Sequence, residues 1–196
     1  MTKPSPHLLL LELAREASSQ YQLVDAACRM AQHAEGPLYD QGLAPLPSSL
    51  EIVFLTQKWL QDGKKEAGSQ ALRQVTVPVD RVNEPNKLPG PVWAHYMACS
   101  HLAHMLQEQG YTSPGDLIVK RLTWVAAQAC NAVTFSSAAS ARSRAQSKEA
   151  TWQIECLRSI LGLRDSSQLV EGPRLRNSLL AEQTLSQISN ELGKDD

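Results

Sequence analysis

The sequence predicts an all-α fold: a single-domain bundle of about seven helices around a buried, alanine-rich central helix. Three observations carry that expectation. The first is the stretch at residues 117–135, LIVKRLTWVAAQACNAVTF, which contains no Gly or Pro. At about 100° of turn per residue, Ile118, Val119, Leu122, Val125, Ala126 and Ala129 share one broad apolar arc. Lys120, Arg121, Gln128, Asn131 and Trp124 share the narrow arc left over. A helix that apolar needs neighbours on several sides, and Ala126, Ala127, Ala129 and Ala132 let them approach. The second observation is apolar spacing at i, i+3, i+4, i+7 in segment after segment. The third is the lack of any long alternation of apolar and polar residues. Residues 74–79 (QVTVPV) are the nearest to a strand, and Pro78 demotes them.

In chain order, Pro4 and Pro6 precede a first helix at residues 7–18. A second spans residues 21–34, with Leu23, Ala26, Ala27, Met30 and Ala31 on one face. Residues 36–47 read as an ordered loop in which Leu38, Tyr39, Leu43 and Leu46 pack. Ser48 and Glu51 have the spacing of a capping box for the third helix, which Gly63 ends or kinks. A shorter helix follows at residues 65–75. Residues 76–90, with Pro78, Pro85 and Pro89, read as a mobile surface loop. Pro91 opens the next helix, which stops at Gly110. Ser113, Pro114 and Asp116 read as N-cap, N1 and N3 of the central helix. Residues 136–147 read as the start of a long helix that carries Trp152, Cys156, Leu157 and Ile160 and ends in a Schellman turn at Gly162-Leu163. Pro173 opens a last helix. The organisation expected is a bundle core at residues 1–163, with residues 164–196 as a C-terminal helix that packs on it or serves an interaction.

Composition narrows the function classes. The 196 residues carry 42% hydrophobic and 20% charged residues, the balance of a globular chain with one core. A net charge of −1 and a pI near 6.5 argue against nucleic acid and against a polybasic membrane contact. The four cysteines, Cys28, Cys99, Cys130 and Cys156, form no CxxC pair and sit in apolar helical patterns. They read as free, buried thiols in a reducing compartment. The apolar run from Leu8 to Leu11 is too short for a secretory leader, and no segment approaches the ~18 apolar residues that span a bilayer. A cytoplasmic location is the expectation.

Few residues suggest chemistry. His95, Cys99, His101 and His104 lie on one helix and are the candidate metal ligands. His95 and Cys99 share a face as an i, i+4 pair, but His101 and His104 lie on a different side, and no CxxC follows. Polar spots on a nearly buried helix are the simpler reading. No nucleophile elbow or phosphate loop is present. Asp25 and Glu51 lack an inward acidic partner at helical spacing. Arg142, Arg144 and Lys148, followed by Glu149, read as a solvated face. The tryptophans Trp59, Trp93, Trp124 and Trp152 fall one to each major helix and read as packing residues. Gln153 falls inside an apolar arc and is expected to be buried and hydrogen-bonded.

Several segments in order carry a resemblance. QLVDAACRMAQHA forms a short helix with a cysteine and a basic residue. SSLEIVFLTQKWLQDGKKEAGSQALRQV pairs an apolar helix, ending in an aromatic–Leu–x–x–Gly–Lys turn, with an Ala-rich one. VWAHYMACSHLAHM and LIVKRLTWVAAQACNAV are paired Ala-rich helices, and EATWQIECLRSILG closes the set. This order is similar to the all-helical immunity-like proteins of bacterial polymorphic toxin systems and to the related planctomycete helical domain. It spans about residues 22–162; the tail after Leu163 and the loop at 76–90 depart from it. The resemblance implies a non-enzymatic protein that binds another protein, and it carries over no catalytic residue and no cofactor.

The expected function is therefore a cytoplasmic protein-binding protein, an immunity or accessory factor that masks a partner. The partner is another protein, with a toxin or a second copy of this chain as the candidates. Leu185, Ile188 and Leu192 of the C-terminal helix are the candidate contact residues. The alternative is a metal-binding protein or enzyme that uses the helix bearing His95, Cys99, His101 and His104.

Overall fold

Helix boundaries follow local chemistry. The computed structural model describes residues 5–63, 65–81, 88–106 and 115–163. Ser5 Oγ accepts the Leu8 N–H and Pro6 occupies the first turn, so α1 spans Pro6–Arg15. α2 is Gln20–His33, capped by Ser19 Oγ, which accepts the Gln22 N–H. The expected loop after it contains a short helix, α3, Glu35–Asp40. Pro37 does not prevent it, because a proline in the first turn lacks only an N–H that had no helical partner. Leu38 packs in the core, whereas Tyr39 points to solvent.

α4 is Pro47–Asp62. Its N-cap is Leu46 rather than Ser48, and no side chain caps it, since Pro47 already occupies N1. Gly63 ends it in the left-handed conformation (φ 64°) and donates its N–H to the Trp59 carbonyl. α5 is Lys65–Arg81, six residues longer than the apolar pattern indicated. It takes in both the strand-like run and the first part of the expected loop. Pro78 withholds one N–H from the helix, yet the chain stays helical around it. Residues 82–87 lie outside the described residues.

α6 is Gly90–Met105 and α7 is Asp116–Ser136. Gly115 is the N-cap of α7 and Asp116 its first residue; Ser113 and Pro114 lie outside the described residues. Beyond Ser136 the helix does not continue into the next one. Ser137 is extended, Ala139–Ala141 make one 3₁₀ turn, and α8 runs Arg142–Leu161. The Schellman stop forms as expected: Gly162 has φ 69°, Leu163 N–H bonds to the Arg158 carbonyl and Gly162 N–H to that of Ser159. The expected helix at residues 173–196, with Leu185, Ile188 and Leu192, lies outside the described residues.

The fold is an all-α bundle. Eight α-helices are described, seven of them with ten or more residues, and among the described residues there is no strand. No described helix is long and apolar enough to cross a membrane. α7 packs against α1, α2, α3, α6 and α8, as its apolar arc requires. α2 shares the centre, in contact with α3, α4, α6, α7 and α8. Small residues make the close packing possible. At Gly68 a Cβ would lie 3.1 Å from the Leu106 carbonyl oxygen, so α5 approaches the end of α6 where only glycine fits without a shift.

The first turn of α2 ties three other helices together. Gln20 Nε2 donates to the Met105 carbonyl at the end of α6 (2.8 Å). Tyr21 Oη donates to the Leu60 carbonyl near the end of α4 (2.6 Å). Gln22 Nε2 donates to the Ile160 carbonyl near the end of α8 (3.5 Å). The last four carbonyls of a helix have no partner inside it, so these side chains supply donors where the backbone has none.

Candidate functional site

Three places in the bundle hold chemistry that packing alone does not require. The first is the solvent side of α7. Leu117, Trp124 and Phe135 are 47%, 43% and 46% exposed. Seven residues are 20° short of two turns and eleven are 20° past three, at about 100° per residue. The three side chains therefore stand within about 20° of one line, ~27 Å long. His101 of α6 lies beside Trp124, ring centroids 5.2 Å apart. The Arg142 guanidinium sits 5.9 Å from the Phe135 ring centre. Lys120 is exposed on the same side. The result is an apolar spine with basic residues along it. Trp124 and Trp93 thus depart from the packing role expected of the tryptophans, whereas Trp59 is buried.

The second place is inside the bundle, where α3 meets α6. His95 is fully buried, with Nε2 3.8 Å from Glu35 Oε1 and 3.8 Å from Cys99 Sγ. Burial pushes the Glu35 carboxyl up to about 7. Burial also pushes the His95 imidazole down to about 4, against a smaller opposite pull from the Ala31 backbone. Between those values both groups are neutral, so the pair is a polar contact and not an ion pair. His95 Nδ1 and Glu35 Oε1 have no hydrogen-bond partner among the described residues.

The candidate metal ligands do not converge. His95 and Cys99 face inward together, while His101 packs at a tilt (41°) against Trp124 at the edge of the bundle and contacts His104 and Arg121 electrostatically. Among the described residues no group of three or more His, Cys, Asp or Glu side chains is placed to hold a metal ion. The cysteines are free, and Cys28, Cys99 and Cys156 are buried, with Cys130 half-buried. Burial, first of all, raises each thiol above its usual value, Cys156 to about 12. They are poor nucleophiles in that state.

The third place joins α2, α7 and α8. Gln153 is 5% exposed, and its Nε2 donates to the Ala126 carbonyl and to Glu149 Oε1, both at 2.9 Å. That burial and bonding match the expectation for Gln153. Glu149 Oε2 lies 3.1 Å from His33 Nε2, and the His33 ring stacks on Trp152 with centroids 3.8 Å apart. Arg142, Arg144 and Lys148 are exposed, as expected, but Glu149 is only 2% exposed and does not belong to their solvated face.

The fold and these features define a class: an alanine-rich helical bundle with a buried polar ladder and an exposed apolar spine. Comparison of the chain with protein-family profiles, with curated proteins and with solved structures finds no match. The spine was missed in the sequence because only Trp124 stood out in the polar arc. The seven- and eleven-residue spacings from Trp124 to Leu117 and Phe135 were the signal that reveals it. Glu149 had no such signal, since its partner His33 comes from a distant helix.

Proposed function

We propose that this chain is a non-enzymatic protein-binding bundle that receives an amphipathic helix of a partner protein along α7. The observation that carries the reading is the alignment of Leu117, Trp124 and Phe135 on the solvent side of the helix. Single exposed apolar residues are ordinary on any surface. Three large ones in one line over five helical turns form an apolar stripe against which the apolar face of an amphipathic helix can pack. Lys120 and Arg142 beside the stripe favour a partner whose helix carries acidic residues next to its apolar face. The resemblance to helical immunity-like proteins supports the same reading and extends it: the bound partner is masked, and a toxin fits that role.

The test removes the stripe without touching the core. A full-length chain with Leu117→Ser, Trp124→Ser and Phe135→Ser should keep its helical circular dichroism. It should lose a partner that the unaltered chain retains from extracts of its own source, with the affinity falling by at least about tenfold for the loss of buried aromatic anchors. Equal retention by both chains would place the interface elsewhere.

A further inference from the structure

We infer that the cleft between α1, α7 and α8 is a binding site for a small, uncharged molecule with an apolar body and one hydrogen-bond donor. The cleft has a volume of about 390 Å³, within the range of ligand pockets. It exists because the residues where the three helices would meet are small: Ala126 and Ala127 on α7 and Ala150 on α8 leave the space open. Leu10 and Ile154 supply apolar walls.

Gln153 supplies the recognition. It lines the cleft and is 95% buried by its 5% exposure. Both of its amide hydrogens are spent, one on the Ala126 carbonyl and one on Glu149 Oε1. Two acceptors on the nitrogen side fix the amide orientation, because the opposite orientation would set oxygen against oxygen. The carbonyl oxygen Oε1 is left as an acceptor that takes none of the hydrogen bonds formed among the described residues. Oε1 is not among the buried unpaired side-chain atoms, so it is open on the cleft side, and a ligand O–H or N–H can take the place of water there. The Glu149 carboxyl behind the amide polarises it toward a donor.

The charge of the ligand follows from the lining. No Lys, Arg, Asp or Glu lines the cleft, and His7 of α1 is its one side chain that can carry a positive charge. A carboxylate or phosphate beside Gln153 would lose hydration there while facing the amide oxygen and the Glu149 carboxyl behind it. On α7 the cleft residues Thr123, Ala126, Ala127, Cys130 and Asn131 centre about 100° around the helix from the spine, with Asn131 bordering it, and the two sites are tested by different substitutions.

The experiment uses the full chain labelled with nitrogen-15 and two probes of equal size, benzyl alcohol and benzoate. Benzyl alcohol should shift the Gln153 side-chain amide and the Ala127 and Ala150 backbone signals in a saturable way. Benzoate should bind at least about tenfold more weakly. Ala127→Leu, at an exposed position on the rim, should fill the cleft and weaken benzyl alcohol by about tenfold or more with the circular dichroism unchanged; should that chain misfold, Ala150→Leu replaces it. Absence of saturable shifts at Gln153, or equal binding of benzoate, or undiminished binding to the filled cleft, overturns the inference.

Discussion

Glu35 and His95 show how burial at single residues sets a pH response. The Glu35 carboxyl is raised to about 7 in the folded chain. A group raised on folding contributes stability below its unfolded value and loses it as pH climbs through the folded one. The His95 imidazole is lowered to about 4, so its contribution is present above its unfolded value and is lost as pH falls through about 4. The two slopes oppose each other and leave a stability maximum near pH 5–6. Glu35→Gln should remove the upper slope. Denaturant unfolding between pH 5 and 8 should show the unaltered chain losing on the order of 1–3 kcal/mol relative to the variant. Parallel curves would show that Glu35 is solvated. Neither group was identifiable as a pair in the sequence, because Glu35 appeared at the edge of a loop and His95 sixty residues later. Gln153 was legible, since a polar residue inside an apolar arc has to be buried with a partner.

At the scale of elements, the alanines of α7 separate into two kinds. Ala129 is fully buried, and Ala126 is 2% exposed but lines the cleft. The sequence treats them alike. Ala129→Leu should overpack the core and cost roughly 1–3 kcal/mol. Ala126→Leu has the cleft to grow into and should cost clearly less. Thermal melts of the two variants check this, and equal losses would show that the cleft cannot yield. Helix existence and type were well marked by apolar spacing, as in α2, α4 and α7. Boundaries were less so wherever proline was read as a stop. Pro37 lies in the first turn of α3, where no bond is lost, and Pro78 lies within α5. The capping box at Ser48 failed for a related reason: Pro47 had already begun the helix.

For the molecule as a whole, the three donors at the start of α2 reach far along the chain. Their partners are 85, 39 and 138 residues away. No local rule marks such contacts, which is why this joint was illegible in the sequence while the class of fold was plain. Its consequence is kinetic. Gln20, Tyr21 and Gln22 can be satisfied together only after the ends of α4, α6 and α8 have arrived at one spot, and closing such long loops is slow. The joint is therefore a latch that engages late in folding. Gln20→Ala should leave the refolding rate nearly unchanged and speed unfolding several-fold, the signature of a contact absent from the transition state. A stopped-flow chevron in which the refolding limb moves instead would make the joint part of the nucleus. As a latch, it lets the ends of three helices fray only as a set, so that a disturbance at any one of them is felt at the other two.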